Sequence, residues 1–170
     1  GGDTKYFLGR EPRGERGDVS GHTGVLSYEP TELVLTVRSG TSIAETQAVL
    51  YESGQCLAFE PPEFESAATI GGTIASGLSG PCRPYRGSVR DFVLGVTCVN
   101  GRGESLRFGG QVMKNVAGYD VSRLMVGAMG TLGAILDVSF KVLPIPEVEQ
   151  TRVYEVSEEM AIAKMNEWAA

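Results

Sequence analysis

The chain has 170 residues, a formal net charge of −6 and a sequence pI of about 4.9. An acidic chain without a long Lys/Arg block is not suited to binding a nucleic acid or an anionic membrane surface. No stretch approaches the roughly 18 consecutive apolar residues of a transmembrane helix, and no secretory signal pattern is present. The chain contains 23 glycines, although ordinary usage predicts about 12. It has no starting Met, and we expect it to be a fragment of a longer protein.

The three cysteines, Cys56, Cys82 and Cys98, have spacings that fit no zinc or iron–sulfur ligand pattern. An odd number of cysteines favours reduced thiols and a cytosolic location. Because free cysteine is commonly buried, we expect all three to be small buried side chains and predict no metal site.

The first forty residues predict loops followed by two strands. A loop that enters a short helix or turn is expected at 1–10, and a charged surface loop at 11–17. The segments 25–28 and 33–37 are typical of strands, and the intervening turn contains a proline.

Residues 42–54 predict a helix that Gly54 ends. The spacing of its apolar residues gathers five of them on one side. These are Ile43, Ala44, Ala48, Leu50 and Tyr51.

The middle of the chain alternates between turns and regular structure. Paired prolines exclude a central strand or a helix interior at 61–62, whereas 68–77 predicts a short helix. Two β-rich runs on either side of "NGRG" indicate a hairpin over 91–108. A short helix with Asp120 near its start is expected at 119–127, followed by a strand over 134–144.

The composition changes after residue 146, where we place a domain boundary. A strand is predicted at 151–156, and a helix follows with Ser157 as its N-cap. Hairpins without regular β-α-β alternation favour the α+β class over a doubly wound sheet.

The glycines are the main functional signal, since a glycine-rich turn presents backbone N–H groups that suit a phosphate. Four segments have this character: 1–5, 69–77, 85–90 and 127–135. The Rossmann fingerprint and the Walker P-loop are both absent, so a dinucleotide would require another fold.

Three segments together resemble a known family: "PPEFESAATIGGTIASGLSGP", "YRGSVRDFVLGVTCVNGRGE" and "KNVAGYDVSRLMVGAMGTLGAILDVSFKVLP". In order and spacing they resemble the PCMH-type FAD-binding domain of the vanillyl-alcohol oxidase superfamily. The segments "GSVRDFVLG" and "VMKNVAGYDVSRLMVG" are similar to the FAD-binding (E) subunits of bacterial glycolate oxidases.

The resemblance implies a domain over 1–145 in which FAD lies between two α/β subdomains, about 1–58 and 59–145. Residues 146–170 would begin a C-terminal cap domain whose remainder is absent. The implied cofactor-binding residues follow the glycine-rich segments. They are Gly1, Gly2, Asp3, Thr4, Glu63, Thr69, Gly71, Gly72, Ser76, Gly77, Ser79, Gly130, Thr131, Gly133 and Ile135.

Two departures from the family bear on the cofactor. Some members attach FAD covalently through a His in their first pyrophosphate loop, which corresponds here to the loop at 1–10. This first loop has no His, so noncovalent FAD is expected. The only histidine is His22, in a segment expected to be a surface turn. Met129 stands where the family's turn usually has Glu, so a contact to ribose would be missing.

Catalytic residues remain unassigned, because relatives place the substrate-binding Arg and His residues largely on the cap domain. Arg83, Arg86 and Arg90 either meet a substrate carboxylate or pair with nearby acidic side chains such as Asp91.

The resemblance implies oxidation of glycolate, a 2-hydroxy acid, to glyoxylate, with a second flavoprotein subunit and an iron–sulfur subunit as partners. The expected location is cytoplasmic, with inner-membrane association through those partners. Two alternatives stay open: a stand-alone D-lactate type dehydrogenase, and a structural subunit whose FAD site has decayed.

Overall fold

The computed structural model describes residues 2–8, 11, 14–15, 17–64, 67–111 and 118–169. The strands within these ranges are β1 (Val25–Glu29), β2 (Val34–Arg38), β3 (Gln55–Cys56), β4 (Val93–Val99), β5 (Ser105–Gly109), β6 (Ala134–Lys141) and β7 (Leu143–Pro144). The helices are α1 (Ile43–Glu52), α2 (Ile70–Ser76), α3 (Arg83–Arg86), α4 (Val89–Phe92), α5 (Val121–Leu124) and α6 (Glu158–Ala169). Short 3-10 helices cover Tyr6–Leu8 and Pro30–Glu32.

Five strands form one antiparallel sheet in the order β1-β2-β6-β4-β5, with β6 at its centre. Strands β3 and β7 form a separate antiparallel pair. The arrangement confirms the α+β class. The large sheet contains strands from both sides of residue 58. The subdomain boundary at about 58 and the domain boundary at 146 stay predictions.

The predicted hairpin is confirmed as β4 and β5, which pair from Gly95 with Gly109 to Val99 with Ser105. Its turn is held by Asn100, whose Oδ1 accepts hydrogen bonds from the backbone N–H groups of Arg102 at 2.9 Å and Glu104 at 3.1 Å. A side chain that bonds to its own turn explains why the local sequence predicts this element so well.

Helix α1 is confirmed, but of the five residues predicted to share one side only Ile43 and Leu50 are buried. Its buried residues are Ile43, Thr46 and Leu50, whereas Tyr51 is 75% exposed. Burial of Thr46 is compatible with an apolar face because its hydroxyl donates to the carbonyl oxygen of Ser42 at 2.8 Å. The sequence pattern counted only apolar residues and therefore missed this position.

The hydrophobic core lies between α2 and one face of the large sheet. Leu35 of β2 and Phe140 of β6 are fully buried on that face, together with Ile70 and Ile74 of α2. Phe59 packs edge-on against Phe140, with ring centroids 6.2 Å apart. This core fixes α2 against the sheet.

The segment after β7 differs from its prediction in one respect. No strand forms at 151–156, where Val153 is 90% exposed and none of the strands in the described ranges pairs with the segment. Helix α6 is confirmed, and Ser157 Oγ accepts a hydrogen bond from the N–H of Met160 at 3.4 Å. None of the helices in the described ranges is long and apolar enough to cross a bilayer.

All three cysteines are free thiols, but only Cys98 is buried as expected. Cys56 and Cys82 are half-buried, because β3 and the loop before α3 lie at the edge of the core. Burial raises the pKa of the Cys56 and Cys98 thiols, and a side-chain hydrogen bond to Glu60 raises the pKa of Cys82. Raised thiol pKa values disfavour nucleophilic roles.

Candidate functional site

The first loop, α2 and the turn at 127–133 surround a pocket of about 200 Å³. The residues that line it come from all three segments, which are far apart in the sequence. They are Gly2, Asp3, Thr4, Lys5, Tyr6, Thr69, Gly72, Ala75, Ser76 and Met129.

The first loop is fixed against the stretch that leads into α2. A side chain at Gly2 would overlap the carbonyl oxygen of Ala67, so only glycine allows this approach. The carbonyl oxygen of Asp3 then accepts a hydrogen bond from the N–H of Tyr6 at 3.1 Å, which begins the short helix Tyr6–Leu8. The loop thereby presents Thr4 and Lys5 to the pocket.

Helix α2 contributes small and hydroxyl-bearing residues to the pocket. Thr69 caps the helix by accepting a hydrogen bond from the N–H of Gly72 at 3.2 Å. Because the Thr69 oxygen accepts this bond, its hydroxyl proton can donate to another acceptor. One turn further, Ser76 also faces the pocket.

The turn at 127–133 is held against the carboxyl end of α2. The N–H of Gly127 donates to the carbonyl oxygen of Ile74 at 3.0 Å, and the N–H of Met129 donates to that of Ala75 at 2.8 Å. Gly127, Gly130 and Gly133 have φ angles of 80°, 77° and 149°, which L side chains rarely adopt. The threefold spacing of these glycines therefore builds a tight turn that brings Met129 into the pocket.

The adjacent glycines of α2 have different surroundings. A Cβ at Gly71 would lie 2.5 Å from Cβ of Ser39 and 2.9 Å from the Ser39 carbonyl oxygen, whereas a Cβ at Gly72 would meet only Thr69 Oγ1 at 3.2 Å. Gly71 therefore allows α2 to pack on the sheet, and Gly72 keeps the pocket open.

We expect Gly71→Ala to lower the free energy of unfolding by about 1–3 kcal/mol, since α2 must move away from Ser39. The matched control Gly72→Ala should change it by less than about 1 kcal/mol, because the one close atom, Thr69 Oγ1 at 3.2 Å, has to shift only slightly and alanine favours a helix. Urea unfolding of both variants measures the difference. Equal stabilities would contradict the packing role of Gly71.

The structure brings six of the predicted site residues together at the pocket: Gly2, Asp3, Thr4, Thr69, Gly72 and Ser76. Gly1 lies outside the described residues. The remaining predicted residues do not line the pocket. They are Glu63, Gly71, Gly77, Ser79, Gly130, Thr131, Gly133 and Ile135.

Three residues of the second group have defined roles within the fold. Ser79 Oγ accepts a hydrogen bond from the N–H of Val89 at 2.8 Å, and the Thr131 hydroxyl donates to the carbonyl oxygen of Ala128 at 2.6 Å. The Ile135 side chain is buried in the core. Contact of these residues with a cofactor stays a prediction.

Four pocket residues were not predicted: Lys5, Tyr6, Ala75 and Met129. Lys5 is a cation within a glycine-rich loop of an acidic chain, and this contrast is the signal that could have identified it. Met129 was noticed only as a departure from the family pattern. The side chain of Ala75 did not indicate a place in the pocket, because its position depends on how α2 contacts the turn at 127–133.

Arg90, one of the clustered arginines, donates from Nη2 to the carbonyl oxygen of Val126 at 3.0 Å. Asp91 accepts hydrogen bonds from the Ser88 backbone N–H and hydroxyl, both at 2.8 Å. These bonds lower the pKa of Asp91, and the charges of Arg123 and Arg90 add to the effect. Arg90 thus contacts the backbone of the fold, which favours a structural role at this position over binding of a substrate carboxylate.

A second pocket, of about 230 Å³, lies on the sheet face opposite the core. Thr36 and Ser139 line it and bond to each other through their hydroxyls at 2.8 Å, and Gln111 donates to Thr36 at 3.2 Å. His22 is paired at 2.9 Å with Asp137, which also lines this pocket. None of its lining residues belongs to the predicted FAD site.

FAD, the cofactor that the resemblance implies, fits the chemistry of the first pocket. Thr4 and Thr69 supply hydroxyl groups and Lys5 supplies a positive charge, whereas the Ser76 hydroxyl donates to the carbonyl oxygen of Thr73 at 3.1 Å. At Gly72, an added side chain would occupy space beside Thr69 that a ligand could fill. Such donors are the groups that bind phosphate oxygens in proteins. No group of acidic, His or Cys side chains suited to a metal occurs in the described ranges.

The sequence is similar to those of several known proteins. The chain is 51% identical over 168 residues to "Glycolate oxidase subunit GlcE" of Escherichia coli (strain K12), covering 99% of this chain and 48% of that protein. It is 35% identical to "Glycolate oxidase subunit GlcD" of Bacillus subtilis (strain 168), over 75% of this chain and 27% of that protein. It is 32% identical to a "D-lactate dehydrogenase" of Anaerostipes hadrus, over 72% of this chain and 26% of that protein. The chain thus spans half or less of these relatives.

The fold is also shared with a solved structure. An alkyldihydroxyacetonephosphate synthase superposes with a TM-score of 0.64 and 27% identity, over 77% of this chain and 23% of that one. The family model described as "FAD binding domain" matches residues 4–109, which include Thr4 and Lys5 of the first loop and the whole of α2. The predicted resemblance is confirmed: the chain belongs to the FAD binding domain family.

Proposed function

We propose that this chain holds FAD noncovalently within a flavin-dependent oxidoreductase that oxidises glycolate to glyoxylate. The observation that carries the proposal is the 51% identity to a glycolate oxidase subunit over 99% of the chain. The GlcD subunit and the D-lactate dehydrogenase described above match over less of this chain, 75% and 72%. The pocket formed by the first loop and α2 supports the cofactor part of the proposal.

In this proposal FAD supplies the redox chemistry, and the protein supplies position and electrostatics. Thr4 and Thr69 direct hydroxyl groups to the pyrophosphate, Gly72 keeps a side chain out of its space, and Gly2 lets the first loop approach Ala67. The backbone of the turn at 127–133 borders the pocket through Met129. Predicted residues outside the pocket, such as Gly130, would lie along other parts of the extended cofactor.

Two observations support noncovalent attachment. The first loop has no histidine, and the single histidine of the chain is His22. His22 bonds to Asp137, on the sheet face opposite the core, so it does not reach the pocket beside α2.

We further propose that the protein works with a second flavoprotein subunit and an iron–sulfur subunit, in the cytoplasm and at the inner membrane through those partners. Two of the relatives are named as subunits of glycolate oxidase, which supports assembly into a complex.

The test is anaerobic addition of glycolate or D-lactate to the purified flavoprotein complex, followed by the flavin absorbance. The proposal predicts that glycolate reduces the flavin and D-lactate does so more slowly. Efficient reduction by D-lactate with none by glycolate would instead favour the D-lactate type dehydrogenase.

A further inference from the structure

Lys5 occupies a distinctive position at the mouth of the candidate FAD pocket. It is half-buried, and its Nζ lies 6.0 Å from the centroid of the Phe64 ring. Phe64 in turn packs edge-on against Phe7, with ring centroids 5.2 Å apart. A cation over an aromatic face is held by the ring's quadrupole, so these two rings support one orientation of Lys5.

The described residues that line the pocket carry charges of both signs. Among the described residues that line the pocket, Lys5 is the only cation, and Asp3 adds a carboxylate. Burial lowers the pKa of the Lys5 ammonium, and the negative charge of Glu63 raises it. An anion in the pocket would stabilise the charged form further. Without Lys5, none of the described lining residues would supply a positive charge to offset the pyrophosphate, in a protein whose net charge is −6.

We propose that Lys5 neutralises the pyrophosphate of bound FAD, and that the Phe64 ring holds Lys5 beside the pocket before the cofactor arrives. The proposal rests on the proposed binding of FAD in this pocket.

The experiment compares FAD and riboflavin, which share the flavin ring and the ribityl chain, whereas only FAD carries the pyrophosphate and the adenosine. Dissociation constants are measured by the change in flavin fluorescence, after removal of bound cofactor, for the wild type, Lys5→Met and Lys5→Arg. Lys141→Met serves as the control: it removes the same charge from a half-buried residue of β6 that does not line the pocket. Urea unfolding confirms that each variant is folded.

Lys5→Met should bind FAD about tenfold more weakly or worse, which is the effect of one charge-assisted contact, and riboflavin as tightly as the wild type does. Lys5→Arg should retain most of the FAD affinity, and Lys141→Met all of it. Equal losses for FAD and riboflavin would show a structural role and overturn the proposal, as would an unchanged FAD affinity. If the wild type binds no FAD, the proposed function itself fails.

Discussion

Replacing Gly72 by Glu is expected to abolish FAD binding, with an affinity loss of at least about a hundredfold, while the protein stays folded. Gly72 lines the pocket in the middle of α2, so the new side chain would fill space proposed for the cofactor. Its carboxylate would also repel the pyrophosphate. The backbone accepts the change because the only close atom is Thr69 Oγ1, and helix interiors prefer most residues to glycine.

The matched control is Gly101→Glu in the hairpin turn. Gly101 is exposed, and no atom outside its chain neighbours lies within 4 Å of an added Cβ there, so the same charge is introduced away from the pocket. Fluorescence titration with FAD should show wild-type affinity for the control and none for Gly72→Glu. Wild-type affinity in Gly72→Glu would contradict the assignment of the pocket. Gly133 is less suitable, because its added Cβ would lie 2.6 Å from the Val99 carbonyl oxygen and would disturb the fold.

Replacing Phe140 by Ala is expected to lower the free energy of unfolding by about 3–5 kcal/mol. Phe140 is fully buried at the centre of the sheet and contacts Phe59, so its removal leaves a cavity that these neighbours cannot readily fill. Because α2 packs on the same core, FAD binding should also weaken in this variant.

Chemical unfolding followed by circular dichroism measures this loss. Tyr51→Ala is the control. Tyr51 is an aromatic residue of α1 that is 75% exposed, so its replacement should lower the free energy of unfolding by less than about 1 kcal/mol. A loss at Phe140 as small as that at Tyr51 would show that the core is not centred on β6.

The elements that the sequence predicts best are those that local chemistry determines. The hairpin turn carries its own Asn100 hydrogen bonds, and Asp120 Oδ1 caps α5 by accepting a hydrogen bond from the N–H of Arg123 at 3.0 Å. The inner face of α1 was missed because Thr46 is buried through a hydrogen bond that an apolar pattern does not detect. The segment 151–156 has strand-like residues, but none of the described strands pairs with it. Its β-propensity alone therefore predicted a strand wrongly.

The candidate site was only partly predictable for a related reason. Glycine clusters identified the first loop and α2, since close approach of the backbone requires a particular residue type. The presence of Ala75 and Met129 in the pocket depends on hydrogen bonds between α2 and a turn more than fifty residues later. Lys5 was visible in the sequence, but its relation to Phe64 and Glu63 appears only once the first loop is folded.

The most direct test of noncovalent FAD binding is the visible absorbance spectrum of the purified protein, recorded before and after acid precipitation. The account predicts a flavin spectrum with added FAD and release of the flavin into the supernatant. A protein that shows no flavin, even after FAD is added, would contradict it. Flavin retained in the pellet would contradict noncovalent attachment.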